Sequence, residues 1–340
     1  MTVLRPARLL GVLCALGALL AASAALGLAA GPSAIGPAEA LHALLDPRSA
    51  GAAADIVREI RLPRVAAACE VGACLAVAGV LFQALLRNPL ADPFVLGISG
   101  GAALGGVAVL ALGAAAGLGY AGVAPAAFAG ALATTGLLFA TAGLRGRLSS
   151  TTLLLTGVVF NALASAAIVF LASLAGMTEG TSIFLWLIGS LSAAHGAALG
   201  WIAAFLAGGL ACALPQSRAL NLIALGDESA EQLGVAVGRT TRLLLLSTAL
   251  MVGAAVSVSG LVGFVGLIVP HALRLVLGPD HRLLVPAAAL AGAAFLVLCD
   301  AAARTLLPGR ELPVGAITAL AGGPLFLVLL RRQSRRGLAP

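Results

Sequence analysis

The sequence predicts an all-helical, polytopic membrane protein, a single transmembrane domain over residues 1–340 with about ten spans and an inverted internal repeat. The first observation is composition: 61% of the 340 residues are hydrophobic and only 10% are charged. A soluble domain carries about 25% charged residues, so this chain lacks the polar surface needed to face water on all sides. The second is the scarcity of aromatic residues beside 43 glycines, which favours close helix packing over a barrel with aromatic girdles.

All 20 basic residues are arginine. A phosphate-binding P-loop needs a lysine, and so does a Schiff-base enzyme, so both classes are excluded. The arginines lie at the edges of apolar stretches, which indicates membrane topology and argues against a nucleic acid partner. The five cysteines lie inside apolar stretches and are interpreted as small buried side chains: Cys14, Cys69, Cys74, Cys212 and Cys299.

The apolar stretches between charges predict the spans, each about 20 residues long. We place them at 9–30, 65–86, 94–115, 121–143, 150–174, 196–213, two within 243–277 broken near Gly260 and at Pro270, 283–303 and 313–330. A secretory signal is the alternative interpretation of the first stretch. Its apolar run exceeds the roughly 7–15 residues of a signal core, so we interpret it as retained.

Arginine counts predict the orientation. With ten spans, fourteen arginines lie on the side of both termini and six on the other side. Because positive residues concentrate in cytoplasmic segments, we expect both termini in the cytoplasm.

The chain contains an internal repeat. A shift of 181 residues aligns 61–98 with 242–279, and 14 of the 38 aligned positions are identical, where about four or five would be expected from composition. Residue 61 lies outside and residue 242 inside on the predicted topology, so the repeat halves, approximately 61–175 and 242–331, are inverted. Inverted halves that enclose a pathway are typical of transporters.

Two segments stand out on the predicted cytoplasmic side. The first is the reversal Arg87-Asn88-Pro89-Leu90-Ala91-Asp92-Pro93, where two prolines end one helix before the next begins. The second is the long polar stretch 214–242, whose acids and helical period predict short amphipathic helices outside the membrane. Such a loop is suited to docking a soluble partner.

At these residues the chain resembles the FecCD family, the permease subunits of ATP-driven importers for iron-siderophores, haem and cobalamin. The resemblance covers nearly the whole chain. It is carried by Arg61-Leu62-Pro63-Arg64, Gln83 with the 87–93 block, 225–234, 260–271, Asp280-His281-Arg282, Asp300 with Arg304, and 311–315. One departure is that His195-Gly196 follows the Trp186, Gly189, Ser190 and Leu191 block, where the family usually has a tryptophan.

The resemblance implies a permease in the bacterial inner membrane with several partners. They are a second copy in a homodimer, two cytoplasmic ABC ATPase subunits, a periplasmic or lipid-anchored substrate-binding protein, and membrane lipid. The chain itself would bind no cofactor or metal and would perform no covalent chemistry, because ATP and Mg are used by the partner ATPase. The absence of lysine agrees with this division.

The resemblance also implies three sets of site residues. Arginines at the outer mouth would receive acidic residues of the binding protein: Arg61, Arg64 and Arg304. The 214–242 loop would enter a groove on the ATPase through Leu225, Gly226, Asp227, Glu228, Ala230, Leu233 and Gly234. The fifth span and the segment 177–191 would line the pathway and gate, with Met177, Thr178 and Ser182 as contacts. For Arg304, an intrahelical pair with Asp300 is the structural alternative.

Two other functions remain as alternatives. An ion-coupled secondary transporter would also have inverted repeats, and Glu70 is its approximate candidate for a coupling group near the midplane. A rhomboid-like protease would use Gly97-Ile98-Ser99-Gly100 with His271 as base, but it leaves the repeat and the loop unexplained. We interpret His271 and His281 as helix-end residues, not a metal site. Among cargoes we rank iron-siderophore first, cobalamin second and haem third.

Overall fold

The computed structural model describes residues 5–33, 35–46, 51–113, 119–142, 150–192, 196–307 and 309–335. These residues form α-helices, one π-helical turn, one 3-10 turn and no strand. The predicted all-helical class is therefore confirmed.

The first half of the chain comprises α1 (Pro6–Ala29), α2 (Pro37–Leu45), α3 (Ala52–Asp55), the π turn (Ile56–Arg61), α4 (Leu62–Leu85), α5 (Ile98–Leu112), the 3-10 turn (Tyr120–Gly122), α6 (Val123–Ala142) and α7 (Ser150–Leu174). The second half comprises α8 (Met177–Ile188), α9 (Ala197–Ala213), α10 (Ser217–Ile223), α11 (Asp227–Gln232), α12 (Val237–Ser259), α13 (Val265–Leu277), α14 (His281–Thr305) and α15 (Val314–Arg335).

Six helical stretches in the described part of the chain are long and apolar enough to cross a membrane. They are Pro6–Ala29, Ala52–Leu85, Tyr120–Thr141, Thr151–Leu174, Val237–Ser259 and His281–Thr305. A seventh is available if α9 and α10, bent by 62° at their junction, count as one span. The shorter apolar helices α5, α13 and α15 coincide with the other predicted spans. Ten crossings remain a prediction.

Helix α4 forms the centre of the bundle, with α14, α12, α13 and α9 packed around it. Small residues allow this packing. A Cβ at Gly72 would collide with the Gly292 backbone of α14, and a Cβ at Gly79 with the Gly266 backbone of α13. Backbone therefore lies against backbone, as small residues permit in membrane helices.

The bundle has two distinct ends. The arginine end contains the end of α1, the start of α4 and the end of α14. These helix ends lie close together, since Arg61 and Arg304 both donate to carbonyls near residues 27–30. The coupling end contains the end of α4, the short helices α10 and α11, and the start of α14. Asn221 of α10 donates a hydrogen bond to Asp280, which directly precedes α14. Helix α12 begins beside α11 and so runs opposite to α4. This is the relation that an inverted repeat requires of its two copies, although the repeat halves themselves stay a prediction.

The 243–277 stretch divides once. Helix α12 ends at Ser259 and α13 begins at Val265, with positive φ at Gly260 (65°) and Phe264 (69°). The break near Gly260 is confirmed. The second break, at Pro270, was a wrong prediction, because Pro270 lies inside α13.

A neighbouring side chain explains why α13 continues through Pro270. Proline lacks the N–H that would pair with the carbonyl four residues earlier, which here belongs to Gly266. The Nε2 of Gln83 donates to the carbonyls of Gly266 (3.4 Å) and Leu267 (3.2 Å). The Gln83 amide thus supplies a donor at the point where the helix lacks one.

Candidate transport and docking sites

A buried arginine cluster occupies the arginine end, formed by Arg61, Arg64 and Arg304 with Asp300 and Glu311. The π turn ends at Arg61 and α4 begins at Leu62, with Pro63 in its first turn, so Arg61 and Arg64 reach from the start of α4 toward α1 and α14. Arg304 lies in the last turn of α14. Three chain segments therefore bring their charges to one place.

Asp300 is the centre of this arginine cluster. Its Oδ1 accepts from Arg64 Nε at 2.8 Å, and its Oδ2 accepts from Arg304 Nε at 3.0 Å. Arg64 Nη1 also donates to Glu311 Oε2 at 2.8 Å. Asp300 is fully buried, whereas the Glu311 side chain is 51% exposed. One buried carboxylate thus holds two guanidinium groups.

The remaining arginine donors cap the end of α1. The last carbonyls of a helix have no partner within the helix and lie at the negative end of its dipole. Arg61 donates to the carbonyls of Leu28 and Ala29, each at 2.8 Å, and also to Ser33. Arg304 donates to the carbonyls of Gly27 (2.9 Å) and Ala30 (2.6 Å). The two arginines therefore fasten α1 to α4 and α14.

All three arginines predicted to dock the binding protein lie in this cluster. They are close together, but Arg61, Arg64 and Arg304 are each only 2–6% exposed and already hydrogen bonded. The structural alternative for Arg304, a pair with Asp300, is present. Their docking role stays a prediction, and Arg64 is the member whose partner, Glu311, is open to solvent.

The predicted coupling loop folds into two short helices, α10 and α11, as expected from its pattern. Ile223 and Ala230 pack with Val237, the first residue of α12, in a small apolar cluster. The turn between the helices contains Gly226 at φ 125°, a conformation that glycine adopts readily. This packing fixes the loop against the membrane bundle.

The seven predicted coupling residues differ in exposure. Leu225 and Leu233 are 68% and 64% exposed. Glu228 and Gly234 are also exposed, and Gly226 is half-buried. Ala230 is fully buried, so it supports the helix and does not face outward. Two leucines thus form the apolar part of the accessible surface.

The reversal after α4 lies beside this loop. Arg87 Nη2 is 3.4 Å from Asp227 Oδ2 in α11. Asp92 Oδ1 accepts from the Phe94 N–H at 2.8 Å. Burial raises the pKa of Asp92 to about 6 despite that hydrogen bond. The 87–93 block and the coupling loop therefore form one surface.

The predicted gate segment contains α8. Met177, its first residue, is 93% exposed, and Ser182 is half-buried. The Thr178 side chain and His195 lie outside the described part of the chain. The end of α8 is held closely: Ser190 N–H donates to the Ser259 carbonyl at 2.8 Å, and a Cβ at Gly260 would meet the Trp186 carbonyl. The end of α8 thus lies against the break between α12 and α13.

The residues of the alternative functions are also placed. Glu70 is half-buried in α4, and its Oε2 has no hydrogen-bond partner in the described part of the chain. Ser99 Oγ and both His271 ring nitrogens likewise have no partner among the described residues. Ser99 and His271 therefore form no nucleophile–base pair there, and the protease interpretation lacks its geometry.

Asn221 and Gln83 have structural roles that the sequence around them does not indicate. Asn221 bonds Asp280 and His281 across the coupling end. Gln83 also accepts from Arg274 Nη2 at 3.4 Å, so it joins α4 to α13. A polar amide near a span end was the only signal for either residue, and it does not name the partner.

The fold and these sites define a class: a polytopic helical membrane protein whose two ends carry different polar surfaces. The sequence profile of the FecCD transport family matches residues 19–332. The chain belongs to the FecCD transport family.

Relatives and a solved structure agree with this assignment. The hemin transport system permease HmuU of Yersinia pestis is 41% identical over 275 residues, 81% of this chain and 82% of that protein. The cobalamin import permease BtuC of Halobacterium salinarum is 45% identical over 286 residues, 83% of this chain and 75% of that protein. An inward-facing structure assigned to the metal-chelate type of ABC transporter superposes with a TM-score of 0.84 at 30% identity, covering 95% of this chain and 99% of that one.

Proposed function

We propose that this chain is the membrane permease of an ABC importer that moves a metal chelate into the cytoplasm, driven by ATP hydrolysis in a partner subunit. The observation that carries the proposal is the coupling segment, α10 and α11 with their turn, which is fixed to the bundle and presents Leu225 and Leu233. A soluble ATPase groove would bury these leucines. Apolar side chains in such a groove contribute about 1.5–3 kcal/mol each when fully buried.

The assembly has four kinds of partner. We propose a homodimer, because the α7 face carrying Leu155, Val159 and Leu163 is exposed and apolar, and a second copy covers part of it while lipid covers the rest. Two ATPase subunits bind the coupling segments on the cytoplasmic side. The chain lies in the bacterial inner membrane with both of its termini in the cytoplasm. A substrate-binding protein docks at the arginine end, on the opposite side of this membrane. Alternating access at the dimer interface moves the cargo.

The cargo is a metal chelate. The two relatives named above transport hemin and cobalamin, whose metals are held in flat macrocycles, so we test these two beside an iron-siderophore. The pathway has no need to bind any of them tightly, and Met177 and Ser182 of α8 are proposed as contacts at its gate.

Uptake into proteoliposomes tests the function. We expect the permease, with its cognate ATPase and binding protein, to accumulate one of the three chelates only with hydrolysable ATP, because the chain itself has no energy source. A non-hydrolysable ATP analogue and omission of the binding protein are the controls. Accumulation that needs neither ATP nor the binding protein would refute the proposal.

One observation favours ion coupling as the second candidate: Oε2 of Glu70, within α4, has no hydrogen-bond partner in the described part of the chain. An ionisable group inside a span is a functional candidate by default. Glu70→Gln in the same assay separates the two functions. An ABC permease keeps its ATP-driven uptake, whereas an ion-coupled transporter loses its uptake and shows no ATP requirement before the change.

Docking at the arginine end has its own prediction. We propose that a carboxylate of the binding protein pairs with Arg64, and that Glu311, half-exposed and bonded to Arg64, competes for it. Glu311→Gln is then expected to strengthen binding of the binding protein at low salt about threefold, since an exposed pair is worth about 0.2–1 kcal/mol. The measurement is the affinity for the permease complex in nanodiscs.

Glu59→Gln is the matched control for docking. Glu59 is exposed in the π turn just before Arg61, so its removal changes the local charge equally without freeing Arg64. Equal gains from both variants would mean that general charge, not the release of Arg64, governs docking. Weaker binding after Glu311→Gln would contradict competition outright.

A further inference from the structure

The coupling segment is joined to α14 by one polar side chain. Asn221 of α10 donates from Nδ2 to Asp280 Oδ1 at 2.9 Å. Its Oδ1 accepts from the His281 backbone N–H at 2.9 Å and lies 2.7 Å from His281 Nδ1. Because an amide oxygen only accepts, Nδ1 of His281 carries the proton. We name Asn221, Asp280 and His281 the Asn221 joint.

The hydrogen bonds of the Asn221 joint are strong because one of their acceptors is charged. Asp280 is the N-cap of α14, accepting from the Arg282 N–H at 3.1 Å, and its Oδ2 lies 2.6 Å from Arg282 Nη2. The hydrogen bonds from Arg282 and Asn221 lower the pKa of Asp280 to about 2, so it is a carboxylate at every working pH. His281 is only 1% exposed. A donor to a carboxylate is among the stronger hydrogen bonds in proteins.

Helix α14 extends from the Asn221 joint to the arginine cluster. It begins at His281 and ends at Thr305, so Asp300 and Arg304 lie in its last turns. Along its length it packs on α4, with Gly292 against Gly72 so closely that neither position has room for a Cβ. A closely packed helix moves as a body, since packed interiors transmit displacement better than they absorb it.

We propose that Asn221 is a positioning residue that transmits movement of the coupling segment to α14, and through α14 to the arginine cluster. The inference rests on the proposed function, because it needs an ATPase that moves the coupling segment. Among the described residues, no other hydrogen bond links α10 to the start of α14. Loss of this link lets the ATPase cycle without shifting the helix that reaches the opposite end.

The test measures chelate imported per ATP hydrolysed by the full complex in proteoliposomes. Asn221→Ala is expected to lower this ratio about tenfold, within the range of known coupling energies, while basal ATP hydrolysis stays within about twofold of wild type. Stimulation of ATPase activity by the loaded binding protein is expected to fall in parallel. A merely structural role would lower the thermal midpoint and all activities together.

An exchange of partners distinguishes the joint from general damage. Asn221→Asp places a second carboxylate against Asp280 and is expected to uncouple the complex. Adding Asp280→Asn exchanges donor and acceptor, re-forms the bond, and is expected to restore the ratio. Arg282→Gln is the matched control: it removes the ion pair with Asp280 and leaves the Asn221 bond, so the ratio is expected to stay near wild type.

The outcomes separate the two hypotheses. If the wild-type complex moves no chelate with ATP, the proposed function fails. If the wild type does so and Asn221→Ala has an unchanged ratio, the inference alone is overturned. If Asn221→Ala does not fold, the exchange pair decides: restoration by the double variant supports the joint, and an equal loss in single and double variants refutes it.

Discussion

Replacing Asp300 with alanine is expected to lower the stability of the permease by about 3–5 kcal/mol, the cost of leaving buried charges without their partner. Asp300 is fully buried and accepts from both Arg64 and Arg304. After the change, two guanidinium groups with little exposure face each other, and Arg64 keeps only Glu311. The measurement is the midpoint of thermal unfolding in one detergent, with the yield of folded protein beside it.

Glu311→Gln is the comparison for Asp300→Ala. It removes the other carboxylate that Arg64 contacts, but the Glu311 side chain is 51% exposed, so water replaces the lost partner and the cost is expected to stay below about 1 kcal/mol. Asp300→Asn, which keeps one acceptor oxygen, is expected to fall between the two. Equal midpoints for Asp300→Ala and Glu311→Gln would show that burial of this cluster does not determine its energetics.

Sequence reasoning predicted the helices well because one physical requirement dominates them. A span needs a long apolar run, and charges mark its ends. Helices α4, α7 and α14 accordingly begin and end within a few residues of the predicted limits. The coupling helices α10 and α11 were also predicted, since their acids and apolar period are local signals.

The arginine cluster shows where sequence reasoning reaches its limit. The resemblance placed Arg61 and Arg64 at the outer mouth, where they would receive acidic residues of a partner. Their burial depends on the carbonyls at the end of α1 and on Asp300, which lies 236 residues away from Arg64. The predicted helix break at Pro270 was wrong for the same reason: α13 continues because Gln83 of α4 supplies a hydrogen-bond donor. Tertiary partners decide both cases, and no local pattern names them.

Helix α14 connects the two polar ends of the bundle. The Asn221 joint and the arginine cluster lie at opposite ends of α14, while α4 packs beside it throughout. If α14 transmits movement as proposed, a displacement of the coupling segment reaches the end where a binding protein is proposed to dock. The α4 contacts must be close for this to hold, and the glycines of α4 provide that closeness.

Gly79→Ala is accordingly expected to lower the stability of the permease more than any other single methyl group added to α4. A Cβ there would occupy the position of the Gly266 backbone, so α4 and α13 must separate. Overpacking of a filled interior costs about 1–3 kcal/mol and occasionally more, and here the obstacle is backbone that cannot rotate away. We expect a lower thermal midpoint and loss of ATP-driven uptake, because α13 follows directly on the break at 260–264 that contacts the end of α8.

Gly136→Ala is the matched control for this close approach. Gly136 is an exposed position of α6 with no atom within 4 Å of the added Cβ. The same substitution there relieves the helix penalty of glycine, about 1 kcal/mol, without any collision. Its midpoint is expected to equal or exceed that of wild type. If Gly79→Ala were as stable as Gly136→Ala, α4 and α13 could not lie backbone to backbone. The packing of α4 against its neighbours would then have to be looser than the structure shows.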